Sequence, residues 1–102
     1  MNRAFSKVDY ESITVNTAIG FTAAKIVLPI SGSGRQADFA FVSVETDQIR
    51  YRLDGVAPTS SEGHLVSVGD SFEINGALLV SQFLAIKVTN NATIKVTYGW
   101  YA

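Results

Sequence analysis

The chain predicts an all-β protein, a single β-sandwich, jelly-roll-like, of about seven or eight strands over residues 1–102. Three observations carry this. Apolar and polar residues alternate with a period of two in several segments. No segment of useful length has helical periodicity. Polar turn signals separate the runs at short, regular spacing.

Taken in order, Ile13 and Val15 alternate weakly with polar neighbours. Ala23-Ala24-Lys25-Ile26-Val27-Leu28 is helix or strand by composition; Pro29 after it and the two-residue spacing of Ile26 and Leu28 favour strand. Ser31-Gly32-Ser33-Gly34 reads as a loop. Phe39-Ala40-Phe41-Val42 is apolar at every position, as is most of Phe83-Leu84-Ala85-Ile86-Lys87-Val88, which predicts strands covered on both faces. Gln48, Arg50 and Arg52 alternate with Ile49, Tyr51 and Leu53, and Phe72 and Ile74 alternate with Ser71, Glu73 and Asn75. Ala77 to Phe83 has room for one helical turn. At the end, Ile94, Val96, Tyr98 and Trp100 share one face against Thr93, Lys95 and Thr97. Asp47, Asn75-Gly76 and Asn90-Asn91 read as hairpin turns.

Composition narrows the function classes. Hydrophobic residues make up 47% and charged residues 17%, and the mean hydropathy is +0.21. Such a chain buries enough surface to fold, and leaves apolar surface for a partner. The net charge is −1 and the basic residues are scattered from Arg3 to Lys95, so no nucleic-acid partner is expected. Cysteine is absent, which excludes disulfides and thiolate metal sites and fits a reducing compartment. The first residues, Met1-Asn2-Arg3-Ala4-Phe5-Ser6-Lys7, contain no apolar signal-peptide core. The longest apolar run, residues 77–86, is interrupted by Ser81-Gln82 and is too short to span a bilayer, so no membrane partner is expected.

Residues 48–74 are the place to look for chemistry, because loops carry function. They contain Asp54-Gly55, Pro58, the polar run Thr59-Ser60-Ser61-Glu62-Gly63, the only histidine, His64, and Gly69-Asp70. A nucleophilic triad needs a base beside a serine and an orienting acid. Ser60, Ser61 and Ser67 are close to His64 in sequence, yet no G-x-S-x-G elbow occurs. Asp54, Glu62, His64 and Asp70 lack the acidic spacing of a calcium loop and the several histidines of a zinc or iron site. No catalytic residue, no metal ligand and no cofactor is expected, and the chain is read as a non-enzyme. Every residue of the loop also has a structural use. Asp54-Gly55 turns the chain, Pro58 restricts it, and the hydroxyls of Thr59 to Ser61 cap backbone groups. Glu62 is placed to pair with Arg50 or Arg52. At the C-terminus, Trp100 and Tyr101 predict an anchored end, since a fraying end would not carry two large aromatics.

Two resemblances sharpen the reading. Gly63, Gly69-Asp70, Phe72 and Ile74 resemble the turn-then-strand pattern of a cupin-type jelly roll, without the paired metal histidines of cupin enzymes. Residues 18–25, then Val44-Glu45-Thr46, then residues 49–55 with Ala57-Pro58-Thr59 and Gly63-His64, resemble small structural proteins of tailed bacteriophages, of the head-decoration kind. Phe83-Leu84-Ala85-Ile86 and residues 93–98 are similar to the closing strands of that set. The resemblance implies a virion protein, assembled in the host cytoplasm, that binds the major capsid protein or other virion proteins in many copies or as a homo-oligomer. Its expected role is to cement the head lattice; the alternatives are a ring component of tail or neck, or a carbohydrate-binding module of a fibre. The expected partner contacts are Arg50, Arg52, Asp54, Pro58, Thr59, Glu62 and His64. A polar N-terminal arm, about residues 1–8, is expected to reach across a neighbour.

Overall fold

A computed structural model describes residues 4–30 and 33–101. The chain runs β1 (Phe5–Val15), α1 (Ala23–Ile26), β2 (Val27–Ile30), β3 (Ser33–Gln36), β4 (Phe39–Glu45), β5 (Ile49–Arg52), β6 (His64–Val66), β7 (Ser71–Asn75), α2 (Ala77–Gln82), β8 (Leu84–Lys87) and β9 (Ala92–Tyr101). Four strands form one sheet, β1-β9-β4-β7, and three form a second, β6-β5-β8; β2 and β3 pair by themselves. All pairings are antiparallel. No helix among the described residues is long and apolar enough to cross a membrane.

The pairs nest inside one another. β1 pairs with β9, Ile19 bridges Ala85 of β8, β4 pairs with β7, and β5 pairs with β6. That is one long hairpin whose tip is the β5–β6 loop. Two further pairings, β4 with β9 and β5 with β8, roll it into two layers. With the Ile19 bridge counted as a rudimentary strand, the connectivity is that of a jelly roll, and the sandwich is the all-β fold read from the alternation. The β2–β3 hairpin is an insertion that the strand count of seven or eight does not include.

Three turn signals do not make hairpins. Asp47 separates β4 from β5, Asn75-Gly76 separates β7 from α2, and Asn90-Asn91 separates β8 from β9. In each case the chain leaves one sheet and enters the other. Turn chemistry reverses the chain, but the partner strand is chosen by burial elsewhere. At the first corner Thr46 sits at φ 75°, a left-handed conformation unusual for a β-branched residue. The Asp47 carboxylate there accepts bonds from the backbone N of Gln48 (2.8 Å) and the side chain of Asn90 (2.9 Å). The bond from Asn90, then that from Gln48, holds the Asp47 carboxyl below its usual value. Two corners are thus tied together. At Gly76 (φ 113°) the backbone N donates to the Asp38 carbonyl at 2.7 Å, and α2 follows with Val80 buried.

The expected strand over residues 23–28 is divided. Ala23–Ile26 makes a single helical turn, because the Thr22 carbonyl accepts from Lys25 and Ile26, and only Val27 onward is strand. Of the expected loop 31–34, Ser33 and Gly34 open β3, and residues 31–32 lie outside the described residues. The N-terminal arm is also corrected. Phe5 to Val8 belong to β1: the Phe5 ring stacks on Tyr101 at 4.8 Å, and the Ser6 hydroxyl donates to the Trp100 carbonyl. Residues 1–3 of the arm lie outside the described residues.

The core is one cluster between the two large sheets. Ala40, Val42, Val44, Ile74, Ile94, Val96, Tyr98 and Trp100 face it from the four-stranded sheet, and Ile49, Val66 and Ala85 from the other. Ring stacking joins the layers: Tyr51 of β5 lies on Phe72 of β7 at 4.4 Å, and Phe21 lies on Phe83 at 4.2 Å with its edge relation to Tyr98 at 5.2 Å. Trp100 is fully buried and donates its indole N–H to the Arg35 carbonyl at 2.8 Å. β4 is not covered on both faces, as its composition suggested: Phe41 points outward and is 40% exposed.

Candidate functional site

The tip of the rolled hairpin is the β5–β6 loop, where the expected contact residues cluster. Alternation along β5 turns Ile49 and Tyr51 toward the core and Arg50 and Arg52 away from it. Arg50 folds back under the loop. Its Nε donates to the Ser60 carbonyl (3.1 Å) and its terminal nitrogen to the Gly63 carbonyl (2.8 Å). Arg52 takes Asp54 in a two-pronged pair, one prong at 3.0 Å. Asp54 Oδ1 also accepts the backbone N–H of Val56. The hydrogen bond from Arg52 is the main reason the Asp54 carboxyl lies below its usual value, and the same bond raises Arg52.

Beyond Pro58, which is buried, the backbones of Thr59 and Glu62 bond each other in both directions around Ser60 and Ser61. The Thr59 hydroxyl accepts the N–H of Ser61 at 3.3 Å. Gly63 then passes at φ 130°, so close that a Cβ there would lie 3.1 Å from Pro58 and from the Tyr51 carbonyl. Only glycine makes this return comfortably. His64 pairs with Tyr51 across the strands, its ring 5.2 Å from the tyrosine ring. Burial pushes the Tyr51 hydroxyl up.

The result is a shallow depression of about 540 Å³ lined by Arg52, Leu53, Asp54, Glu62, Gly63 and His64. Four of the seven expected contact residues thus meet on one surface. Arg50, Pro58 and Thr59 do not join it; they hold the loop from beneath or within the turn. Glu62 reaches neither arginine as an ion-pair partner among the described residues, where Asp54 takes Arg52. Asp70 is drawn away, its backbone bonded to Ser67 and Val44 at the β6–β7 corner. No group of three or more His, Asp or Glu side chains that could hold a metal is present among the described residues. The sequence reading passed over Leu53 as a lining residue and the carbonyls of Ser60 and Gly63 as the partners of Arg50; backbone acceptors carry no residue-type signal.

Trp100 and Tyr101 stand apart from this loop. The Tyr101 backbone N–H donates to Asp38, its hydroxyl to Asn75, and its carbonyl accepts from Arg35. Trp100 floors a second depression of about 310 Å³ whose rim includes Lys7, Asp9, Thr22 and Lys25. Lys7 lies over the indole at 5.6 Å, and Lys25 pairs with Asp9 at 3.5 Å. No protein-family model matches this chain, and neither a curated protein nor a solved structure does.

Proposed function

We propose that this chain is a non-enzymatic structural protein of a bacteriophage particle, a decoration protein that binds the capsid lattice in many copies and cements it. The observation that carries the reading is the state of the β5–β6 loop. Three of its charged side chains are committed to shape: Arg50 to two carbonyls, and Arg52 and Asp54 to each other. A loop fixed in this way loses little entropy when a partner packs on it, which suits a contact surface repeated around a shell. The jelly roll supports the reading by analogy only, since viral capsid domains use it and so do lectins and enzymes. In this reading Arg52, Asp54, Glu62 and His64 face the major capsid protein or another virion protein, and Arg50, Pro58 and Thr59 set the loop's form.

The test begins with purified particles of the phage that carries the gene. The chain is expected in the head fraction by mass spectrometry and as added density on the capsid by electron cryomicroscopy. Heads stripped of it should lose resistance to heat, and added purified protein should restore it. Recovery in tails only would give the ring reading, and absence from particles would overturn the proposal.

A further inference from the structure

The outer face of the four-stranded sheet is the other surface that the fold leaves open. Its residues follow from the registers. One cross-strand row reads Val8, Gly99, Phe39, Asn75, and the next Tyr10, Thr97, Phe41, Glu73. Aromatic side chains gather at this end of the sheet. The Phe5 ring lies across Gly99, where a Cβ would sit 2.3 Å from it, and meets the Tyr101 ring at 4.8 Å and the Phe39 ring at 5.2 Å. Tyr10 and Phe41 follow in the next row, one on each side of Thr97. Tyr10 is 53% exposed, and Phe5 and Phe41 are 40% exposed.

β1 makes this face unusual. Along its first half the apolar residues point out and the charged ones point in. Lys7, Asp9 and Glu11 share the inner face with Trp100, Tyr98 and Val96, and are taken up there by the indole, by Lys25 and by Tyr98 with Thr22. A slip of one residue would bury Val8 and Tyr10 and expose the charges. Charges turned inward on an edge strand guard it against pairing with a further strand. The edge of β1 is thus blunted while its outer face stays apolar, so an occupant comes to the face and not to the edge.

We propose that this face binds a neutral oligosaccharide, its sugar rings laid along the row from Tyr10 to Phe41. Three features select this occupant. The first is size. The rings occupy three strands about 4.8 Å apart over about five residues, on the order of 200 Å². That is far below the roughly 800 Å² that a standard protein interface buries on each partner, and enough for a short run of sugar rings. The second is spacing. Tyr10 and Phe41 stand two strand spacings apart, about 10 Å, which is the length of a disaccharide unit. The third is the border. A pyranose has a face of weakly positive C–H bonds, which fits the negative face of an aromatic ring, and a rim of hydroxyls that needs donors and acceptors. Thr97 lies between the two rings, Glu73 stands beside Phe41, and Ser12, Lys95 and Ser43 form the next row. Glu73 and Lys95 are opposite in sign, and among the described residues neither enters an ion pair; Lys95 donates to Ser12. The border therefore offers donors and acceptors without the excess of positive charge that an anionic glycan needs. The proposal stands apart from the β5–β6 loop and from the phage reading.

The experiment exposes the purified full chain to a panel of glucose, galactose, mannose and N-acetylglucosamine oligomers, with sialylated and sulfated glycans beside them. Binding is expected among the neutral oligomers, and titration calorimetry with the strongest of them gives the affinity. Tyr10→Ala and Phe41→Ala, each checked for a native circular dichroism spectrum, should weaken it about tenfold. Leu78→Ala, an exposed apolar residue on α2, should leave it unchanged. A panel on which no neutral oligomer binds overturns the proposal, as does binding that both ring variants retain in full. Sedimentation velocity covers the rival occupant: a chain that binds no glycan and self-associates until Tyr10→Ala or Phe41→Ala is introduced gives the face to a second copy and also overturns it.

Discussion

The Tyr98 hydroxyl donates to the Glu11 carboxylate, joining the last strand to the first inside the edge of the sandwich. The same carboxylate receives the Thr22 hydroxyl at 2.7 Å and the Thr22 N–H at 3.3 Å, so one side chain ties β9, β1 and the segment leading into α1. Burial first, then the bond to Glu11, raises Tyr98 far above its ordinary value. The unfolded chain then loses this proton near pH 10 while the folded chain keeps it, so stability is full below pH 10 and declines above it. The slope should reach about 1.4 kcal/mol per pH unit from this residue. Urea unfolding between pH 9 and 11 should show the decline, and Tyr98→Phe should lessen it, leaving the part from Tyr51, while costing about 1 kcal/mol at neutral pH.

Trp100→Ala should cost about 3 to 5 kcal/mol, since it opens a cavity in the core and frees the Arg35 carbonyl. For a domain with about 5 to 15 kcal/mol in hand this comes close to unfolding it. The same residue is the chain's only tryptophan, so its emission should be blue-shifted when folded and move red along the unfolding curve.

Gly63→Ala should destabilise by about 1 to 3 kcal/mol, because a Cβ at φ 130° meets Pro58, the Tyr51 carbonyl and Arg50 together. Chemical denaturation measures it. Equal stability of the two proteins would show that the loop yields.

Arg50→Ala should leave the melting temperature nearly unchanged and speed amide hydrogen exchange and proteolysis across residues 59–63. Its two bonds act on loop carbonyls and not on the core.

Thr46→Gly should raise stability by up to about 1 kcal/mol. The native φ of 75° strains a β-branched residue, and glycine relieves this against the loss of a weak 3.4 Å contact to Thr93. Denaturant midpoints with an unchanged slope would carry the result.

Which parts were legible in the sequence follows from range. Alternation is local, so it placed Ile94, Val96, Tyr98 and Trp100 on one face and turned Arg50 and Arg52 out of the core. Loop chemistry is local too, so Asp54-Gly55 and Pro58 declare the turn. Sheet membership is not local. Asp47, Asn75-Gly76 and Asn90-Asn91 carry hairpin residues, yet each became a corner between sheets, because a reversal of the chain does not say which strand receives it.

The sequence by itself determined that the chain is a β-sandwich and that a stiff loop follows the strand at Ile49–Arg52; its reading of residues 48–74 as strand, loop and strand missed the corner that divides the second strand into β6 and β7, in different sheets. Only the tertiary structure decided the rest. It paired the first strand with the last, made the β5–β6 loop the tip of a rolled hairpin, and spent Arg50 beneath it. It also turned Val8 and Tyr10 outward and Asp9 and Glu11 inward. The physical reason is that an alternating strand has two faces of known character but no label for inside; the partners across the sheet, here Tyr98 and Val96, supply that label.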